Sequence, residues 1–158
     1  MYEHLLVALD GSNAAEQVLP HAEALADAFG ARVILLRAVA SAEMLIAQST
    51  GGGPGMPEMA TPVDPTPIYE AERSAAAEYL TSIQARLRSR NLPVSTETPE
   101  GNASDLLVQR AEQLDRSLIL MTTHGRGGVA RLMFGSTADS VLRHSTRPVL
   151  LIRIRPQD

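Results

Sequence analysis

The stretch that decides the fold runs from residue 4 to residue 40. It opens with His4-Leu5-Leu6-Val7-Ala8-Leu9 and closes that run with Asp10-Gly11. An apolar run without alternation, ended by turn residues, reads as a strand buried on both faces, as in a parallel sheet. Ala15, Val18, Leu19, Ala22, Leu25, Ala26 and Phe29 then recur at helical spacing. Ser12 or Asn13 can cap this helix and Gly30 can end it. A second apolar run, Val33-Ile34-Leu35-Leu36, continues to Ala40. Strand, helix and strand within forty residues make a right-handed βαβ unit.

The same rhythm continues beyond an interruption. Residues 41–67 hold Gly51-Gly52-Gly53-Pro54-Gly55 and Pro57, Pro62, Pro65 and Pro67. That composition predicts a long mobile loop without helix or strand. Ile68 to Arg90 reads as a helix with Ala76, Leu80, Ile83 and Leu87 on one face. Pro93 to Thr98 alternates and is polar, which places a strand at a sheet edge. Asn102 caps a helix carrying Ala103, Leu106, Leu107, Ala111 and Leu114; Leu118 to Met121 is an apolar strand. Thr122 to Phe134 reads as a glycine-containing loop, Ser136 opens a helix, and Pro148 to Ile152 is a fifth strand. Five strands joined by four crossovers predict a single α/β domain over residues 1–158, a doubly wound parallel sheet with helices on both faces.

Composition narrows the chemistry. The chain has 158 residues, 44% apolar and 20% charged, as expected of one ordinary globular domain. It has no Cys, which excludes disulfides, thiolate metal sites and Cys nucleophiles. A net charge of −4 argues against a nucleic-acid-binding body. The apolar runs are too short to span a bilayer. The start, Met1-Tyr2-Glu3-His4-Leu5, lacks a basic or signal-like segment, so a cytoplasmic location and no membrane partner are expected.

Ligands of doubly wound sheets bind at the carboxyl ends of strands, where the winding reverses. Two such ends stand out: Asp10-Gly11, and Met121-Thr122-Thr123-His124-Gly125-Arg126-Gly127-Gly128 followed by Gly135-Ser136-Thr137. Gly125, Gly127 and Gly128 permit left-handed turns whose N–H groups form a concave anion site. Gly135, Ser136 and Thr137 add N–H groups and hydroxyls at a helix start, where the dipole favours negative charge, and Arg126 adds a cation. Together these suit a polyphosphate, although a glycine-rich turn is also a common plain connection. Asp10 can accept from a ribose hydroxyl or base amine, or hold a divalent ion. No Walker motif and no dinucleotide fingerprint after the first strand is present. His124 has no triad partner nearby in sequence, and His4, His21 and His144 have no metal-ligand spacing.

These residues carry a resemblance to the universal stress proteins. It rests on Leu5-Leu6-Val7-Ala8-Leu9-Asp10-Gly11-Ser12, on Thr122 to Gly128 with Phe134-Gly135-Ser136-Thr137-Ala138, and on Val141 to Ile152. Gly125, nine intervening residues and Gly135-Ser136 match the family's phosphate motif, whose first Gly is here Thr122. The resemblance implies a Rossmann-like, adenine nucleotide alpha hydrolase-like sheet of order 3-2-1-4-5. It implies an ATP-binding protein of stress response or signalling with at most slow hydrolysis, ADP or AMP being alternatives. Ala8, Asp10 and Ala38 would face adenine and ribose. Met121, Thr122, Gly125, Arg126, Gly127, Gly128, Gly135, Ser136 and Thr137 would hold the phosphates, with Mg²⁺ or Mn²⁺. A homodimer through the strand at 148–153 is expected, because an apolar edge strand needs covering. Thr122 favours the alternative, a nucleotide-free interaction module of the same fold. An adenylate-forming enzyme is the third possibility, for which 158 residues leave little room.

Overall fold

The computed structural model describes residues 1–41, 43–44, 64–123 and 135–154. Its centre is a five-stranded, all-parallel sheet of order β3-β2-β1-β4-β5, as the sequence leads one to expect. The strands are β1 (His4–Ala8), β2 (Arg32–Leu36), β3 (Val94–Glu97), β4 (Ser117–Thr122) and β5 (Val149–Ile152). The helices are α1 (Asn13–Glu16), α2 (Leu19–Phe29), α3 (Thr66–Arg88), α4 (Ala103–Glu112) and α5 (Ser136–His144).

Period-two alternation divides the core between the two faces of the sheet. Leu5, Val7, Val33, Leu35, Leu118 and Leu120 pack against Leu19, Ala22 and Ala26 of α2 and Leu80, Ile83 and Leu87 of α3. Leu6, Ile34, Leu36, Ile119 and Met121 pack against Leu107 and Ala111 of α4 and Ala138 and Val141 of α5. The first two crossovers therefore cover one face and the last two cover the other. The winding reverses between β1 and β4, which pair directly from His4↔Ser117 to Val7↔Leu120. Every residue of β4 is buried, as a central strand covered on both sides requires. Polar β3 and Pro-preceded β5 are the edges, and all four residues of β5 are half-buried.

Two expectations change. The single helix expected from Asn13 to Phe29 is two helices, α1 and α2, separated at Gln17 and Val18. Pro20 has no N–H for the carbonyl of Glu16, and its ring would clash with that carbonyl, so the first helix stops and a new one starts. Pro20 then sits in the first turn of α2, where a missing N–H costs nothing. Gly30 ends α2 in the left-handed region at φ 62°. The second change is at residues 66 and 67, which belong to α3 rather than to the loop. Asp64 accepts the Thr66 N–H at 3.0 Å, and Pro67 again occupies a first-turn position. Residues 42 and 45–63 of the expected 41–67 loop lie outside the described residues.

Candidate functional site

The described residues among those singled out by sequence lie at the carboxyl ends of β1, β2 and β4 and at the start of α5. Ala8 is the last residue of β1 and is half-buried. Asp10 follows two residues later, also half-buried. Its Oδ1 accepts the Ser12 N–H at 2.9 Å and the Ser12 hydroxyl at 2.6 Å. Ser12 Oγ in turn accepts the Ala15 N–H at 3.1 Å and so caps α1. Gly11 takes φ 84° between them, a value that lets the chain leave the strand and start a helix within four residues. The carboxylate of Asp10 is thus oriented by the same side chain that nucleates α1.

Ala38 lies two residues past β2 and is half-buried. The backbone around it is held on both sides. Arg37 N–H donates to Glu97 O at 3.1 Å, Val39 N–H to Pro99 O at 3.0 Å, and Gly101 N–H to Val39 O at 3.0 Å. On β4, Met121 and Thr122 are buried, at 5% and 7% exposed. Thr122 is a regular strand residue paired with Ile152 of β5. Thr123 N–H continues the ladder to Ile152 O at 2.9 Å.

The chain returns to the sheet at Gly135, whose N–H donates to Thr123 O at 2.7 Å. Gly135 is the N-cap of α5, and among the described residues no side chain caps that end. Ser136 is exposed and Thr137 half-buried in the first turn. Backbone N–H groups at an uncapped helix start attract anions. Gly125, Arg126, Gly127 and Gly128 lie outside the described residues. Among the described residues no group of three or more His, Asp or Glu could hold a metal ion, and no helix is long and apolar enough to cross a membrane.

Sequence reading passed over a buried cation just past β2. Arg37, at the end of β2, is only 7% exposed. Its guanidinium lies 5.4 Å from the centroid of the Tyr79 ring of α3. A single arginine inside the apolar run from Val33 to Ala40 was the available signal, because a buried cation needs a partner. Tyr79 gave none, because its helix is distant in sequence.

This doubly wound parallel α/β fold, with its candidate site at the reversal between β1 and β4, is shared by known proteins. The sequence profile described as the universal stress protein family matches residues 1–153. The chain belongs to the universal stress protein family. It is 25% identical to universal stress protein MJ0531 of Methanocaldococcus jannaschii over 153 residues, covering 97% of this chain and 83% of that one. Among solved structures, MJ0577, from the same organism, superposes with a TM-score of 0.79 at 22% identity, covering 99% of each chain. A universal stress protein solved in complex with cAMP superposes with a TM-score of 0.63 at 22% identity, over 96% of this chain and 97% of that one. An Arabidopsis thaliana family member solved with AMP bound gives 0.65 at 13% identity, over 99% and 97%. At these identities the superpositions establish the common fold.

Proposed function

We propose that this universal stress protein binds an adenine nucleotide, ATP with ADP or AMP as alternatives, and acts as a nucleotide-dependent stress-response protein with at most slow hydrolysis. The observation that carries the reading is the start of α5 at Gly135, which no described side chain caps, at the carboxyl end of β4 and next to β1, two residues beyond which lies Asp10. A phosphate takes the N–H groups of Ser136 and Thr137, and Asp10 accepts from the ribose or base. Ala8 and Ala38 supply main chain on the base side. Gly125, Arg126, Gly127 and Gly128 complete the phosphate side, with Met121 and Thr122 beneath. The two family members with cAMP and AMP support an adenosine phosphate as the ligand class. Mg²⁺ or Mn²⁺ enters with the phosphates, as the described side chains offer no acidic cluster of their own.

On this reading occupancy rather than turnover is the signal. The place of the half-buried β5 as the last strand of the sheet supports a homodimer through residues 148–153. The second reading, a nucleotide-free interaction module, is favoured by Thr122, a β-branched strand residue where the family motif has glycine.

Calorimetry and thermal melts with ATP·Mg²⁺ and AMP decide between the two. Binding at a hundredfold excess over Kd stabilises the fold by about 2.7 kcal/mol. At about 2–4 °C per kcal/mol for a chain of this size, the melt rises by roughly 5–11 °C. Gly135→Val abolishes the shift while the unliganded melt stays close to wild type. No binding by wild type up to millimolar nucleotide overturns the reading.

A further inference from the structure

Helix α3 runs antiparallel to β3 and is bonded to the chain at both ends of that strand. At the start of β3, Gln84 Nε2 and Arg88 Nη2 donate to the Val94 carbonyl at 2.9 and 3.1 Å. Beyond its carboxyl end, the Tyr69 hydroxyl donates to Glu100 Oε1, and Arg73 Nη1 lies 3.9 Å from the same oxygen. The first buried residue of α3 is Ala76, so the turns from Thr66 to Ala75 lie outside the core and depend on polar contacts. Among the described residues, the bonds of these turns to another part of the fold all go to Glu100.

Glu100 also belongs to the rim of the site. It forms a parallel bridge with Val39. Val39 N–H donates to Pro99 O at 3.0 Å, and Val39 O accepts the Gly101 N–H at 3.0 Å, so both chain neighbours of Glu100 are bonded to Val39. Arg37 N–H donates to Glu97 O at 3.1 Å. Ala38, on the base side of the site, sits between Arg37 and Val39 and is placed by these bonds. The continuation of β3 that makes them follows an edge strand, so among the described residues no further strand supports it from outside. The Glu100 side chain is its link to α3.

The side chains of Arg73 and Glu100 are 61% and 46% exposed, and contacts so exposed contribute little to global stability. Their effect is local, on how much of the time the rim segment stands in place. A site whose binding arrangement is already populated binds more tightly than one that must first be ordered. We propose that Glu100 is a positioning residue of the nucleotide site: held by Tyr69 and Arg73 of α3, it fixes the segment that carries Ala38 and presets the base side before a ligand arrives. The proposal rests on the nucleotide reading above.

The test uses the full chain, AMP and ATP·Mg²⁺ as probes, and the variants Glu100→Ala, Glu100→Gln, Tyr69→Phe and the double variant of Glu100→Ala with Tyr69→Phe. In Glu100→Ala the affinity falls about two- to fivefold, by the same factor for both nucleotides, because the base is common to them. Glu100→Gln keeps an acceptor for the Tyr69 hydroxyl and recovers about half of the loss or more. Tyr69→Phe weakens binding as well, and adding it to Glu100→Ala weakens binding no further. Amide exchange in the unliganded protein reads the segment directly. The Val39 and Gly101 N–H groups exchange about twofold faster or more in Glu100→Ala, while the Val33 N–H, bonded to Pro93 O at the other end of β2, is unchanged. The unliganded melt stays within about 4 °C of wild type. A brace of the fold alone predicts a lower melt with unchanged affinity, and unchanged affinity in Glu100→Ala overturns the proposal. So does unchanged exchange at Val39 and Gly101, or additive loss in the double variant. With a wild type that binds, any of these removes this proposal alone. If wild type binds neither nucleotide, the nucleotide reading falls and takes the proposal with it.

Discussion

Ser12→Ala separates the two tasks that one side chain performs at the end of β1. The variant keeps the Ser12 N–H bond to Asp10 at 2.9 Å and loses two others: the hydroxyl bond to Asp10 at 2.6 Å and the Ala15 N–H cap at 3.1 Å. Losing the cap costs about 1 kcal/mol. A hydrogen bond to a carboxylate is worth roughly 1.5–3 kcal/mol when shielded, and Asp10 and Ser12 are half-exposed, so water recovers most of it and about 0.5–1 kcal/mol remains lost. The total is about 1.5–2 kcal/mol. Ala15 and Val18, at 3% and 0% exposed, bind this turn into the core, so the loss is felt by global unfolding rather than by local fraying. At about 2–4 °C per kcal/mol the melting temperature falls by roughly 3–8 °C. Circular dichroism melts of wild type, Ser12→Ala and Ser12→Thr measure it, the last retaining a hydroxyl that caps. A Ser12→Ala melt within about 1 °C of wild type would refute the reasoning. So would a Ser12→Thr variant no better than Ser12→Ala.

Two further predictions concern the frame around the site. Leu120→Ala, at a fully buried position in the central strand β4, costs about 3–4 kcal/mol in urea unfolding, and a loss below roughly 1.5 kcal/mol would contradict the packing described. Arg110 of α4 grips Glu97 of β3 with its Nε and Nη2, at 2.8–3.1 Å, and both side chains are about one-third exposed. A double-mutant cycle on this pair gives about 1 kcal/mol or less, falling with added salt, and Arg110→Lys recovers under half of it because an ammonium cannot make the fork; a coupling insensitive to salt would show that the pair is not electrostatic.

Much of this architecture was legible from residues 4–40 alone. The runs Leu5 to Leu9 and Val33 to Leu36 are unbroken apolar segments, and Ala22 and Ala26 between them follow the helical period of 3.6. Edge placement of Pro93–Thr98 followed from its polarity, and β3 is an edge strand. Asn102 was readable as a cap, and it accepts the N–H groups of Ser104 and Asp105 at 3.0 and 3.4 Å. The break at Gln17 and Val18 was also present in the sequence, in Pro20, but the stripe from Ala15 to Phe29 continues through it. Apolar spacing survives a kink that keeps the same face inward, so the pattern conceals it.

At the site the division is sharper. Which residue types follow the strands is plain from the sequence: a carboxylate after β1, glycines and hydroxyls after β4. So is the βα rhythm that brings such ends to one rim of a sheet. What those residues hold depends on how the elements pack. Ser12 is shared between Asp10 and α1, Gly135 closes onto Thr123, and Arg37 meets Tyr79 across forty-two residues of chain. Backbone pattern is set by neighbours along the chain, which the sequence states. Contacts between side chains on separate elements depend on how helices seat on the sheet, and that is settled by packing over the whole core.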